Sequence, residues 1–195
     1  MSAVYAILIY LIQTLISLYL IAMLLRFLLQ LVRADFYNPV SQFIVKVTNP
    51  LVVPVRKLIP GYAGLDIASL ALALLLQIIG IAAVFLIRYG ALPSPGLLFM
   101  GGVLGLVALL VNFYFFALLA MIILSWVAQG SNHPAIYLLF QITEPVMAPV
   151  RKLLPPMGGI DFSPILVFVL INVVQIALQH MAASVGVLGL APWLS

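Results

Sequence analysis

Four long apolar stretches, Ala3 to Val32, Ile67 to Ile87, Gly96 to Val127 and Phe162 to Val185, set what this 195-residue chain can become. Each reaches the roughly 20 residues that an α-helix needs to cross a bilayer. Hydrophobic residues make up 66% of the chain, well above the roughly 45–50% of soluble domains, so a soluble fold is excluded. The spacing predicts four transmembrane helices. At about 1.5 Å per residue the first and third stretches reach roughly 45 Å, beyond a hydrocarbon core of about 30 Å, so they tilt or protrude. The first is read as a retained span and not as a signal peptide, because Met1-Ser2-Ala3 carries no basic side chain and the apolar run is too long.

Between the spans one sentence is written twice. Pro54-Val55-Arg56-Lys57-Leu58-Ile59-Pro60-Gly61-Tyr62-Ala63-Gly64-Leu65-Asp66 returns 95 positions later, without a gap, as Pro149-Val150-Arg151-Lys152-Leu153-Leu154-Pro155-Pro156-Met157-Gly158-Gly159-Ile160-Asp161. At the same offset Tyr19 aligns with Tyr114, Pro39 with Pro134, Thr48 with Thr143, Pro50 with Pro145 and Gln77 with Asn172. The chain is therefore two tandem repeats, residues 1–90 and 91–195. Each is a span, a connecting segment and a second span, and two crossings return the chain to its starting side, so both repeats have the same orientation.

Each connecting segment carries a helical stripe. Val40, Phe43, Ile44 and Val47 fall at i, i+3, i+4 and i+7, and Ala135, Leu138, Leu139 and Ile142 repeat the pattern. Pro39 and Pro134 suit a first turn, and Asn49-Pro50 and Glu144-Pro145 suit a stop. The expected element is a short amphipathic helix in the membrane interface, its stripe against lipid or bundle; a re-entrant or buried connector is the alternative. The predicted fold is thus an all-α membrane protein of two same-orientation helical hairpins, each with an interfacial helix.

Charge distribution gives an orientation. Of eight Lys and Arg residues, Arg33, Lys46, Arg56 and Lys57 lie between the first two spans, and Arg151 and Lys152 between the last two. Arg88 lies on the opposite side, and Arg26 is expected to snorkel toward the face of Arg33. The positive-inside rule predicts cytoplasmic long loops, with both termini on the other side. Positives that border spans reflect topology, so nucleic acid is not an expected partner despite a net charge of +4.

Pro50, Pro54 and Pro60 are expected to stiffen the repeated loop, as are Pro149 and Pro155, with Gly159 shaping the second copy. Such a loop would hold Arg56-Lys57 and Arg151-Lys152 at headgroup level, where they anchor topology or bind lipid phosphate or an acidic partner. Asp66 and Asp161 stand at the start of the second and fourth spans. There they cap the helix or pair with Arg56 and Arg151. Within the membrane Gln77 and Asn172 each follow their aspartate by 11 residues, close to three turns, and Gln175 and Gln179 extend the face of Asn172. That polar stripe either lines a path or bonds helix to helix.

No catalytic group, metal site or cofactor is assigned. The chain has no cysteine, and His133 and His180 fall on opposite sides of the membrane. HExxH, GxSxG and phosphate-cradling glycine motifs are absent from the sequence. A non-enzyme is expected.

The segments from Thr48 to Asp66 and from Thr143 to Pro164, with Ile123-Leu124-Ser125-Trp126 upstream, resemble the YggT family of integral membrane proteins. The family pattern is a Thr-Glu-Pro, Pro-x-Arg-Arg/Lys-x-x-Pro, Gly-Gly-x-Asp-x-Ser-Pro series. The second copy follows it more closely. In the first, Asn49 stands for Glu, Ala63-Gly64 for Gly-Gly and Ala68-Ser69 for Ser-Pro. The resemblance implies a bacterial inner membrane protein without established biochemical activity. It also implies links to osmotic-shock tolerance and ion homeostasis, to division genes through the YlmG branch, and in chloroplasts to haem attachment to a b-type cytochrome.

Two functions follow as expectations. One is a non-enzymatic scaffold or assembly factor whose basic loops dock a membrane or cytoplasmic protein partner, or anionic lipid. The other is a small channel or transporter component, homo-oligomeric, using the face of Asp161, Asn172, Gln175 and Gln179.

Overall fold

The computed structural model describes residues 3–62, 64–128, 133–153 and 161–194. Six α-helices follow one another: α1 (Ala3–Leu31), α2 (Pro39–Leu58), α3 (Ile67–Tyr89), α4 (Pro95–Val127), α5 (Pro134–Leu153) and α6 (Ser163–Val185). A 3-10 turn, Pro192–Leu194, ends the described chain. α1, α3, α4 and α6 are long and apolar enough to cross a membrane, so the chain is an all-α, multi-pass membrane protein with four spans. Each repeat contributes span, amphipathic helix, span.

The spans pack in sequence, α1 on α3, α3 on α4 and α4 on α6, as a row. α4 approaches α3 closely because Gly101, Gly102 and Gly105 present no side chain there: an added Cβ would meet Ile81, Ile78 and Gln77. The segment after α6 folds back over the row. Gly186, in the left-handed region at φ 83°, ends α6, and Val187, Leu190, Ala191 and Leu194 are then buried. Gln13 Nε2 donates to the Leu190 carbonyl at 3.3 Å, pinning this segment to α1.

α2 and α5 begin with matching caps. Asn38 Oδ1 accepts from Val40 N, and His133 Nδ1 accepts from Ala135 N. Asn38 Nδ2 also donates to the Pro134 carbonyl at 2.9 Å, joining the two repeats at this face. The stripe on α2 divides between two environments. Ile44 is buried with Ser41, Thr48 and Val52 against the spans, while Val40, Phe43 and Val47 face outward. The α5 stripe turns inward instead: Leu138 and Ile142, at the positions of Phe43 and Val47, are buried, and Ala135 and Leu139 are half-buried.

The expected stops at Pro50 and Pro145 do not occur. α2 runs through Pro50 and Pro54, and α5 through Pro145 and Pro149. Pro54 and Pro149 therefore stiffen helices, not loops, and Arg56-Lys57 and Arg151-Lys152 occupy last helical turns. An interior proline removes a backbone donor and crowds the preceding turn. In α2 the turn before Pro50 is bonded from α1: Arg26 Nη1 donates to Val45 O at 3.4 Å and Tyr19 Oη to Val47 O at 3.3 Å. Pro60 follows the helix, two residues ahead of the Tyr62–Leu65 backbone pair. Pro155 and Gly159 lie outside the described residues.

Candidate functional site

Asp66 is where α1, α2 and α3 meet. As N-cap of α3 its Oδ1 accepts from Ser69 N at 3.3 Å, and its Oδ2 accepts from Ser69 Oγ at 2.7 Å. The same Oδ2 accepts from Arg56 Nη2 at 2.6 Å and from Arg26 Nε at 3.2 Å. Capping and ion pairing, alternatives from the sequence, are here two halves of one carboxylate. Its side chain is 0% exposed and that of Arg26 7%. Arg26 Nη1 donates further to Thr48 Oγ1 and Asn49 Oδ1, both at 2.8 Å. Arg26 thus points into the protein and ties α1 to α2 and α3, correcting the snorkelling expectation. The reason is elementary: an arginine inside an apolar span needs a counter-charge, and the buried Asp66 supplies it at less desolvation cost than an unpaired burial would carry.

The second repeat builds a looser version. Arg151 Nη1 pairs with Glu144 Oε2 at 2.8 Å and Arg151 Nε with Asp161 Oδ2 at 3.2 Å. Asp161 Oδ1 accepts from Ser163 N at 2.9 Å, although the cap position itself is Phe162, one residue later than the sequence suggested. All three charged side chains are over a third exposed. Two substitutions at the 95-residue offset explain the difference. Met121 replaces Arg26, so Thr143 Oγ1 meets Met121 Sδ at 3.4 Å where Thr48 meets a guanidinium. Glu144 replaces Asn49. The first clamp therefore has two arginines and one acid, the second one arginine and two acids.

These environments set the acids' titration. Burial pushes the Asp66 carboxyl up, but the Ser69 hydroxyl, Arg56, Arg26 and the Ser69 N–H together outweigh it and hold the group below the ordinary carboxylate range. Asp161 is lowered too, its slight burial opposed by the Ser163 N–H and hydroxyl and by Arg151. A carboxylate depressed by folding stabilises the fold above its unfolded pKa, about 3.9, and that contribution is lost as pH falls through the folded value. Thermal unfolding of the purified protein is therefore expected to be insensitive to pH from neutral down to about 5 and to weaken below about 4. Asp66→Asn should flatten most of that decline, measured by circular dichroism across a pH series.

Lys57 and Lys152 are exposed and make no ion pair among the described residues. Each repeated Arg-Lys pair is thus split, the arginine turned to its aspartate and the lysine outward. The intramembrane amides do not form one face. Gln77 is 2% exposed between α3 and α4, whereas its equivalent Asn172 is exposed and donates to Phe168 O. Gln175 Nε2 bonds Asn112 Oδ1 at 3.2 Å across α6 and α4. Gln179 joins these two and Trp193 around a polar cavity of about 160 Å³.

The duplication has an external counterpart. A model of the CCB3/YggT family matches residues 5–87 and again residues 100–182, the two matches beginning 95 residues apart. The chain belongs to the CCB3/YggT family. An uncharacterised protein of Pseudomonas aeruginosa is 48% identical over 180 residues, covering 91% of each chain. The uncharacterised protein YggT of Escherichia coli K12 is 40% identical over 177 residues, covering 91% of this chain and 92% of its own. No solved structure matches.

Arg26 is the site residue that sequence reasoning missed. Its signal was present: an arginine five residues inside the C-terminal end of a spanning helix has to find an anion, and only four acidic residues exist in the chain. Asn49 and Thr48 follow from it as the acceptors one helix away.

Proposed function

We propose that this CCB3/YggT-family protein is a non-enzymatic scaffold or assembly factor of the bacterial inner membrane. Its two amphipathic helices lie on the cytoplasmic face and offer their basic ends to a partner protein or to anionic lipid. The observation that carries this reading is the division of labour within each Arg-Lys pair. Arg56 and Arg151 lock the ends of α2 and α5 to the following span, and Lys57 and Lys152 are left outward on a fixed helical turn. A point charge held in place costs little ordering on binding.

Lys57→Gln combined with Lys152→Gln is expected to abolish copurification of partner proteins while membrane insertion stays normal. Unchanged copurification overturns the proposal. Orientation is checked separately with reporter fusions at Ser2, Pro93 and Ser195, each expected to report the non-cytoplasmic side.

A second reading, a small oligomeric channel or transporter component in ion and osmotic homeostasis, draws on one feature. Asn172 offers an exposed amide on a spanning helix beside the polar cavity of Asn112 and Gln175. Spans packed in a row would need several chains to enclose a pore. Absence of potassium or solute flux from liposomes carrying the purified protein removes this reading.

A further inference from the structure

Beside the first clamp, α1 and α2 leave a cleft of about 500 Å³. Arg26, Arg33 and Arg56 all line it, together with Gln30, Ser41 and Asn49. The Arg26 and Arg56 guanidinium groups converge on one carboxylate, Asp66, and Arg33 adds a third cation to the lining of the same cleft. Like charges in such proximity repel unless an anion stands among them. Arg33 makes no ion pair among the described residues, and its backbone sits in the left-handed region at φ 52°, uncommon for a residue with a Cβ. Arg33 follows the end of α1, is exposed, and lines the cleft. Among the described residues the Arg26 guanidinium makes its bonds through Nε and Nη1 and none through Nη2. Ser41, 3% exposed, has a hydroxyl with no hydrogen-bond partner among the described residues.

An unpartnered buried hydroxyl and a cluster of forked cationic donors share one complementary ligand chemistry, a tetrahedral oxyanion with several acceptor oxygens. The neighbouring surface says what carries that anion. Leu29 lines the cleft and also an apolar groove of about 300 Å³ whose walls include Phe113, Phe116 and Leu138. A polar, cationic pocket that adjoins an apolar groove has the two-part character of a phospholipid. We propose that this cleft binds the phosphate of an anionic phospholipid, whose acyl chain lies along the groove. The site belongs to the first repeat alone. At the equivalent positions Met121 stands for Arg26, Ala128 for Arg33 and Ile136 for Ser41. It deepens the lipid side of the proposed function, but its residues differ from the outward lysines, so the two can fail separately.

The full-length protein in detergent is titrated with phosphatidylglycerol, with phosphatidylcholine and with inorganic phosphate, and bound molecules are counted by native mass spectrometry. Phosphatidylglycerol should be retained in preference to phosphatidylcholine. Arg33→Gln, an exposed and unpaired position whose loss leaves folding intact, should weaken retention about tenfold or more, the value of one charge-assisted hydrogen bond. Ser41→Ala should weaken it less, and Lys57→Gln with Lys152→Gln should leave it unchanged. Equal retention by the Arg33 variant, or equal binding of phosphatidylcholine, overturns the proposal. Arg33-dependent binding of inorganic phosphate without retention of phosphatidylglycerol overturns the lipid assignment. If the lysine variant loses its partners while Arg33→Gln binds lipid normally, the cleft fails and the outward lysines stand.

Discussion

Asp66→Asn is expected to destabilise the protein by about 3–5 kcal/mol, and Asp161→Asn by less than about 1 kcal/mol, although the two aspartates are equivalent in the repeat. The difference comes from what each substitution strands. Removing the Asp66 charge leaves Arg26, 7% exposed, without a counter-ion inside a span, and releases Arg56 from the end of α2. Removing the Asp161 charge leaves Arg151 paired with Glu144 and over a third exposed, where solvent screens most of the loss. Arg26→Met, which copies the second repeat at position 121, should fall between them, because Asp66 keeps Arg56 and Ser69 while Thr48 and Asn49 lose a donor. Adding Arg26→Met to Asp66→Asn should recover part of the loss, since no buried cation then remains. Thermal unfolding in one detergent across the four variants measures these costs. Equal costs for the two aspartates would show that Asp66 is not the pin of the first repeat.

The four spans were legible because apolar runs of this length have one stable solution in a bilayer, and their observed ends lie close to the runs read from sequence. α2 and α5 were legible as helices, since a 3.6-residue stripe survives any context. Their length was not. Asn49-Pro50 reads as a stop when only the local chain is considered, whereas in the fold the turn before it is bonded by Tyr19 and Arg26 on another element. The same distance hid the clamp. Arg26 and Asp66 are 40 residues apart, and the repeat, which exposed every other feature of the loop, gives no second instance of this pair because position 121 is methionine. The fold-back of Val187 to Leu194 was invisible for a related reason: a short apolar run broken by Gly and Pro acquires meaning only against the glycines of α4.

The asymmetry also changes what duplication means here. Both repeats keep the arginine that locks an amphipathic helix to the next span, so the shared architecture rests on Arg56 and Arg151. The first repeat then adds a cation, and the second an acid, at positions the architecture leaves free. Two copies with opposite surplus charge offer different chemistry on one membrane face, which gives a reason to retain both.

Gly105→Ala should cost about 1–3 kcal/mol, and Gly105→Leu more, because α3 and α4 have no room to yield at that point. A Cβ on Gly105 would lie 2.5 Å from Gln77 Nε2, 2.8 Å from its Cδ and 3.1 Å from its Cγ. The amide end of a glutamine ordinarily swings aside, but Gln77 is 2% exposed and its Oε1 already lacks a partner among the described residues. One turn further along α3, Gly80 packs against Ile16 of α1, so shifting α3 away from α4 drives it into α1. The contact therefore holds three spans in register. Gln77→Ala alone should cost less than Gly105→Ala, since it removes an amide with an unmet acceptor, and it should rescue Gly105→Ala by clearing the space the new methyl needs. Measured as thermal unfolding of the four combinations, rescue identifies steric conflict at α3 and α4. Additive losses would instead locate the role of Gly105 in its backbone, not in the close approach of Gln77.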